Sequence, residues 1–259
     1  MNKILKSSSA HHLSQNNWRL LRKFIGRYLW KNLYTFSQKL KLPKMIKKLE
    51  NSNLSLKNNL NYPQFTENKS FRKNSKFSDL ISKYNTSKPE GEYRNFLDNL
   101  FFKIRPKTKT ILEIGVSEGG GLLAMRDFFE QSLLWGVDID RDTFINSERI
   151  KECGWVDQLK LKTMIKNAEY FSTKFDLIVD DGWHHPESQI NSLIAYLPYL
   201  NKGGTYILED IVHDKYYNYF LKVMKLLEKK DFQYNYYNFN MNGKSEISDN
   251  LGYLIIKRN

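Results

Sequence analysis

The sequence predicts a three-layer α/β sandwich built on a mostly parallel seven-stranded sheet, with an antiparallel C-terminal hairpin and a basic helical extension at the N-terminus. Three observations predict it. Short apolar, β-branched runs alternate with segments whose apolar residues fall at helical spacing, the pattern of strands joined by crossover helices. Two of those runs end in acids, Asp180-Asp181-Gly182 and Glu209-Asp210, as buried parallel strands do when they pass into polar turns at one edge. Basic residues crowd ahead of the alternating region: residues 1–90 hold 19 Lys+Arg against 4 Asp+Glu, whereas residues 91–259 hold 22 against 24.

A chain of 259 residues has room for one α/β domain with a large core and an appendage. The single cysteine, Cys153, excludes an intramolecular disulfide. No apolar run reaches the roughly 18 residues of a membrane span, and no apolar leader stands near the N-terminus. The cytoplasm is the expected compartment, with attachment to the inner membrane face open to the extension.

Residues 1–16 are polar and read as disordered. In 18–42, Trp18, Leu21, Ile25, Tyr28, Leu29, Leu33, Phe36 and Leu40 recur at helical spacing, with Arg19, Lys23, Arg27 and Lys31 opposite. Three uses fit this basic amphipathic helix: an anionic membrane surface, nucleic acid, or docking on the chain's own domain. Residues 44–78 read as a Lys-, Asn- and Ser-rich linker. The domains are thus an extension, 1–77, and a folded domain, 78–259.

Within the folded domain, Glu92–Ile104 places Tyr93, Phe96, Leu97, Leu100, Phe101 and Ile104 on one helical side, suited to cover a sheet. Thr110–Ile114 is the first strand, followed by a glycine-rich turn and a helix to Phe129. Leu133–Val137 is the second strand, ending at Asp138. Asn146–Cys153 reads as a helix, Leu159–Met164 as a strand and Asn167–Phe171 as a short helix or turn. Phe175–Val179 is a strand, and Pro186–Leu197 a helix with Pro186 in its first turn. Thr205–Leu208 is a strand opened by Gly203-Gly204, and Tyr216–Glu228 a helix. Phe232–Phe239 and Leu251–Ile256 have no helix between them and read as a hairpin at the sheet's edge.

The turn after the first strand reads Glu113-Ile-Gly115-Val-Ser117-Glu-Gly119, a Rossmann-like arrangement that lets backbone approach a ligand and offers free helix N–H groups. Ser117 stands where a dinucleotide fingerprint has its second glycine, so a pyrophosphate is a poor fit. Asp138, at the end of the second strand, is placed to accept both hydroxyls of a ribose. Together they suggest a nucleoside ligand without a diphosphate. A right-handed crossover between the strands that end at Asp180 and Leu208 brings Asp181, Glu209 and Asp210 to the same edge. Three carboxylates meeting there repel one another unless a cation or proton sits among them.

LEIGVSEGGG, GVDID and FDLIVDDGWHH…KGGTYILEDIV resemble class I S-adenosylmethionine (SAM)-dependent methyltransferases. More narrowly, they are similar to the Mg-dependent sugar O-methyltransferases of the macrolide and rhamnosyl type, from about Ser78 to the C-terminus. SKYNTSKPEGEYRNF is loosely similar to that family's TDKG-containing lead-in. The resemblance implies that Glu113, Gly115 and Gly119 surround the methionine part of the cofactor, that Asp138 holds the ribose, and that Asn167 and Ala168 border the adenine. It implies Asp181, Glu209 and Asp210 as ligands of Mg²⁺ and His184 as the base. Trp183 departs from the usual small serine of DDGSH, and it either lines the acceptor pocket or packs under its loop.

The chemistry is consistent with that resemblance. A sulfonium methyl is already activated, so the protein must align an oxygen behind it and remove that oxygen's proton. A sugar hydroxyl is a weak acid, which a hard divalent ion on oxygen ligands acidifies and orients. Other readings stay open for single residues: Asp181 as a cap of the helix at Pro186, and one of His184 and His185 as a structural hydrogen-bonding residue. For the whole chain, a sugar or polyol O-methyltransferase leads over a catechol-type O-methyltransferase, over an RNA methyltransferase that uses the basic extension, and over a non-catalytic scaffold.

Overall fold

The computed structural model describes residues 41–52, 76–86, 88, 92–140, 147–230, 232–241, 248 and 250–259. The chain divides into two compact units, residues 1–45 and 46–259. Of the first, only residues 41–45 are described, and they are helical; in the second, residues 46–51 are helical. Up to residue 40, the amphipathic helix expected over 18–42 lies outside the described residues, as do its basic face and any membrane or nucleic-acid contact made through it. Among the described residues no helix is long and apolar enough to cross a membrane.

The second unit contains helices α1 (Phe77–Lys83), α2 (Glu92–Ile104), α3 (Gly120–Phe128), α4 (Leu161–Tyr170), α5 (Pro186–Tyr196) and α6 (His213–Glu228). Its strands are β1 (Thr110–Ile114), β2 (Leu133–Asp138), β3 (Ile150–Trp155), β4 (Phe175–Asp180), β5 (Leu200–Val212), β6 (Phe232–Asn240) and β7 (Asn250–Arg258). They form one seven-stranded sheet in the order β3-β2-β1-β4-β5-β7-β6. The first five are parallel, and β7 runs antiparallel to both β5 and β6. The expected sandwich and closing hairpin are therefore present.

Burial explains why the central strands are nearly all apolar. Every residue of β1 is buried, because alternate side chains enter opposite helical layers. On one face, Ile111, Leu177, Val179, Ile207 and Ile255 pack with Phe77 and Ile81 of α1, Leu97 and Phe101 of α2, and Leu122 and Phe128 of α3. Phe77 meets Phe101 and Phe128 edge-on at ring separations of 4.6 and 5.6 Å. Phe77, one residue before Ser78, belongs to this core. The other face carries Leu112, Ile178, Tyr206 and Leu254, all buried.

Between residues 146 and 171 the structure corrects the expected elements. Ile150–Trp155 is a strand where a helix over Asn146–Cys153 was expected, and Leu161–Tyr170 is a helix where a strand over Leu159–Met164 was expected. Leu159-Lys160-Leu161-Lys162 alternates like a strand, yet the residues that reach the core, Met164 and Ala168, are four apart on a helix. Two further elements are longer than expected: β5 spans Leu200–Val212, and α6 begins at His213.

Candidate active site

Sheet register places the site. Parallel pairing sets Val137 beside Ile114, Ile114 beside Asp180, and Asp180 beside Leu208. One residue further along each strand, Asp138, Gly115, Asp181 and Glu209 form a row at the carboxyl edge, where open α/β sheets bind ligands.

The glycine turn fits this row closely. Gly115 has φ +88°, and a Cβ there would overlap Gly182 Cα and the Asp181 carbonyl, so the β1 and β4 loops touch backbone to backbone. A Cβ on Gly121 would overlap Glu113 Oε1. Glu113 is buried, its Oε2 has no hydrogen-bond partner among the described residues, and burial holds its carboxyl well above the ordinary range. Asp138 accepts the backbone N–H groups of Ser117 and Asp140, both at 2.8 Å, and so fixes the glycine turn to β2.

The acids gather as the sequence predicts, with partners it does not reveal. Lys88 Nζ donates to Asp181 Oδ2 at 2.7 Å and to Glu209 Oε2 at 2.6 Å. Tyr93 OH donates to the same Glu209 oxygen at 2.6 Å, while Glu209 Oε1 has no partner among the described residues. Burial alone would lower the Lys88 pKa, but Asp181 and Glu209 outweigh it and hold the ammonium above its usual range.

Opposite Leu254–Gly252 of β7, strand β5 carries one extra residue between Leu208 and Ile211, a bulge that turns Glu209 and Asp210 toward the edge. Asp210 sits at φ +56°. Its Oδ1 accepts the Tyr253 hydroxyl, and its Oδ2 lies 3.6 Å from His184 Nε2. One ligand atom from each of Asp181, His184 and Asp210 lies within 4.8 Å of the others, a group able to hold a metal ion. Burial raises the Asp210 carboxyl, offset by His184.

Glu209 gives a pH prediction. Burial pushes its carboxyl to about 8, with Lys88 pulling it back, whereas in the unfolded chain it is ionised above about pH 4.5. Between those values the native state holds a proton that the unfolded state has lost, so stability falls as pH rises. His185, which burial depresses to about 4, works the other way only below about pH 6.5. Without divalent ions, denaturant unfolding is expected to show a loss on the order of 1 kcal/mol between about pH 6.5 and 8. Glu209→Gln should reduce that slope, the remainder coming from Glu113, which burial also holds above its ordinary range; an equal slope in the variant would rule Glu209 out as a source.

Gln158 supports the loop after β4. Its Nε2 donates to Asp180 at 3.0 Å and to Ser192 at 2.8 Å, and its Oε1 accepts the Trp183 N–H at 2.6 Å. Asp180 points inward, where burial raises it to about 6 against hydrogen bonds from Ser192, Gln158 and Tyr206. Asp181 is therefore the acid of this pair left at the edge. Trp183 is 41% exposed and stacks on His185 at 5.5 Å.

The structure thus brings together Glu113, Gly115, Gly119, Asp138, Asp181, His184, Glu209 and Asp210, with Trp183 beside them. Asn167 accepts a hydrogen bond from Tyr196 of α5 and lies against Gly154 of β3, and Ala168 is buried on α4; neither joins the acids, and the loop leaving the edge of β3 is 156–160. Lys88, Tyr93, Gln158 and Tyr253 were missed, and only Gln158 lies outside every segment the sequence had marked.

This sheet order, with its edge turn and acids, is the fold of class I SAM-dependent methyltransferases, which the chain resembles. Among solved structures, the chain is similar to the MycE methyltransferase from the mycinamycin biosynthetic pathway in complex with Mg, SAH and mycinamycin VI. The TM-score is 0.57 at 21% identity, covering 72% of this chain and 56% of that one. Among curated proteins, it is 31% identical over 121 residues to demethylmacrocin O-methyltransferase of Streptomyces fradiae. The same identity and span relate it to mycinamicin VI 2''-O-methyltransferase of Micromonospora griseorubida. Each match covers 44% of this chain and 30% of the relative, so the chain spans under a third of the length of these proteins. No family model matches the chain.

Proposed function

We propose that the chain is a SAM-dependent, Mg-dependent O-methyltransferase acting on a hydroxyl of a sugar or related polyol. The observation that carries this reading is the register row that sets Asp138 and Gly115 directly beside Asp181 and Glu209. The residues fit both groups. Glu113 offers a buried, unpartnered carboxylate oxygen beside the glycine turn, which suits the cationic methionine end of SAM. Asp181, Glu209 and Asp210 are three oxygen-donor acids around one ammonium, Lys88, and a carboxylate-rich set suits a hard divalent ion. Two further relatives are named for O-methylation of a rhamnosyl tetracenomycin and of an olivosyl-oleandolide, which favours a sugar acceptor over a catechol.

Bound SAM supplies an activated methyl group, and Mg²⁺ acidifies the acceptor hydroxyl and orients it. The chain's own residues do the rest. Asp138, already fixed by two backbone N–H groups, keeps lone pairs for the ribose hydroxyls. His184 takes the acceptor proton at Nε2, and Asp210 at 3.6 Å stabilises the imidazolium that forms. Trp183, exposed at the rim, offers a flat apolar face to a sugar ring.

The test is transfer of radiolabelled methyl from SAM to a panel of deoxyhexosides and catechols, with and without EDTA. Chelation is expected to stop turnover and leave SAM binding nearly intact, because the cofactor contacts lie at β1 and β2. Asp138→Ala should weaken SAM binding in calorimetry by about 10-fold or more, the worth of lost charge-assisted hydrogen bonds. A wild-type protein that binds neither SAM nor SAH would end this reading.

A further inference from the structure

Gln158 takes no part in the chemistry above, yet its side-chain amide is wholly committed to the loop that carries that chemistry. It is buried on segment 156–160, which leaves the outermost strand β3 and is fixed to β2 by the Val156 N–H on the Asp138 carbonyl at 2.7 Å. Its side chain reaches β4, three places along in the sheet order. An amide has two N–H groups to donate: here they go to Asp180 and Ser192, while Oε1 takes the Trp183 N–H. The Gln158 carbonyl accepts Asn191 Nδ2 at 2.8 Å, which holds the residue against α5. A Cβ on Gly182 would overlap Gln158 Oε1 and stand 2.8 Å from its Cδ, so the amide lies where a side chain after Asp181 would have to go. The Trp183 carbonyl in turn accepts the His185 N–H at 2.7 Å. Asp181 and His184 therefore flank a pair of residues, Gly182 and Trp183, that rests on Gln158.

We propose that Gln158 is a positioning residue that sets Asp181 and His184 on the loop after β4 and ties that loop to the end of β2 at Asp138. It acts through Gly182 and Trp183, touching neither ion nor acceptor. The proposal rests on the metal-dependent reading above for what the loop does and goes beyond it in naming what holds the loop. An acid cannot replace the amide alone, because it has no N–H for Asp180 and would face that carboxylate across the 3.0 Å now spanned by a hydrogen bond. Exchanging the two groups restores the network. With Gln158→Glu and Asp180→Asn together, the amide at 180 donates to the acid at 158, and that acid accepts the Trp183 N–H and the Ser192 hydroxyl. The amide oxygen at 180 still accepts the Tyr206 hydroxyl.

The full-length protein is read in three ways: Mn²⁺ titration by electron paramagnetic resonance, hydrogen exchange at Trp183, and kcat with KM for SAM in methyl transfer. In Gln158→Glu, Mn²⁺ affinity is expected to fall by about tenfold or more, the usual worth of a partner behind a metal ligand. Exchange at Trp183 should quicken by about tenfold or more. The kcat should fall by about 100-fold, with KM for SAM within about threefold because Asp138 and Glu113 are untouched. Adding Asp180→Asn should return all three to within about threefold of wild type. Gln158→Met, uncharged and close in volume, should show the same losses and carries the test if the facing acids unfold Gln158→Glu. Wild-type Mn²⁺ affinity and exchange in a folded single variant overturn the proposal, as does a folded double variant that recovers neither. A loss of SAM affinity as large as the loss of kcat makes the role merely structural and overturns it too, as does an absence of Mn²⁺ binding in wild type. If Mn²⁺ affinity and exchange follow the expected pattern but wild type transfers no methyl group, the methyltransferase reading fails and the assignment of Gln158 stands.

Discussion

His184→Ala is expected to slow methyl transfer by about 10²- to 10⁴-fold, the usual worth of a positioned general base, while SAM affinity stays unchanged. The argument is geometric. His184 lies on the loop between β4 and α5, and its Nε2 faces Asp210 at 3.6 Å. His185 is turned inward, stacked against Trp183 and kept neutral by burial, so it is not a candidate for the proton. Of the two adjacent histidines, only His184 stands among the acids. Single-turnover transfer of labelled methyl at saturating SAM and Mg²⁺ reads the loss, and Mn²⁺ titration of the same variant separates a base from a ligand. A variant that turns over at the wild-type rate removes His184 from the chemistry. One that loses Mn²⁺ binding along with turnover moves it into the metal's ligand set.

The strands that carry the site were legible because their physics is local. Phe175–Asp180 and the acids after it follow from burial on both faces and a polar exit at one edge, which an apolar run closed by Asp-Asp-Gly displays openly. The same rule fails at Ile150–Trp155. This strand is the edge of the sheet and reads Ile-Lys-Glu-Cys-Gly-Trp, with Lys151 exposed, so it lacks the apolar run of a central strand.

The candidate site divides in the same way. Asp138, Asp181 and Asp210 were found because each closes a short apolar run in the sequence. Their partners come from distant parts of the chain, which no local pattern encodes: Lys88 is 93 residues from Asp181 and 121 from Glu209, and Tyr253 is 43 from Asp210. The bulge that sets Asp210 at φ +56° arises from the mismatch of β5 with β7, a strand about forty residues later. The sequence marks the acids but not the cation between two of them.

Gly115→Ala is expected to damage both halves of the site at once. At φ +88° an alanine is strained whatever surrounds it, and here its Cβ would also overlap Gly182 Cα and the Asp181 carbonyl. Both obstacles are backbone, so no rotamer change relieves them. The two loops are further held in place by Gly115 N–H to the Val137 carbonyl at 2.8 Å and Asp181 N–H to the Ile114 carbonyl at 2.9 Å. Relief therefore requires the β4 loop to move away from the glycine turn. That loop carries Asp181 and His184, and the turn carries Glu113 and Gly119, the residues proposed to meet the cofactor. We expect a loss of about 2–4 kcal/mol in stability and a fall of about 100-fold or more in the rate of methyl transfer, since a shift of about 1 Å at a positioned site costs that much, with weaker SAM binding alongside. Gly203→Ala is the control. Its φ is +75°, but nothing lies within 4 Å of its Cβ, so it should cost only about 1–2 kcal/mol of backbone strain and leave SAM binding alone. If Gly115→Ala unfolds no more easily than Gly203→Ala and binds SAM as wild type does, the contact between the two loops is not what holds the site together.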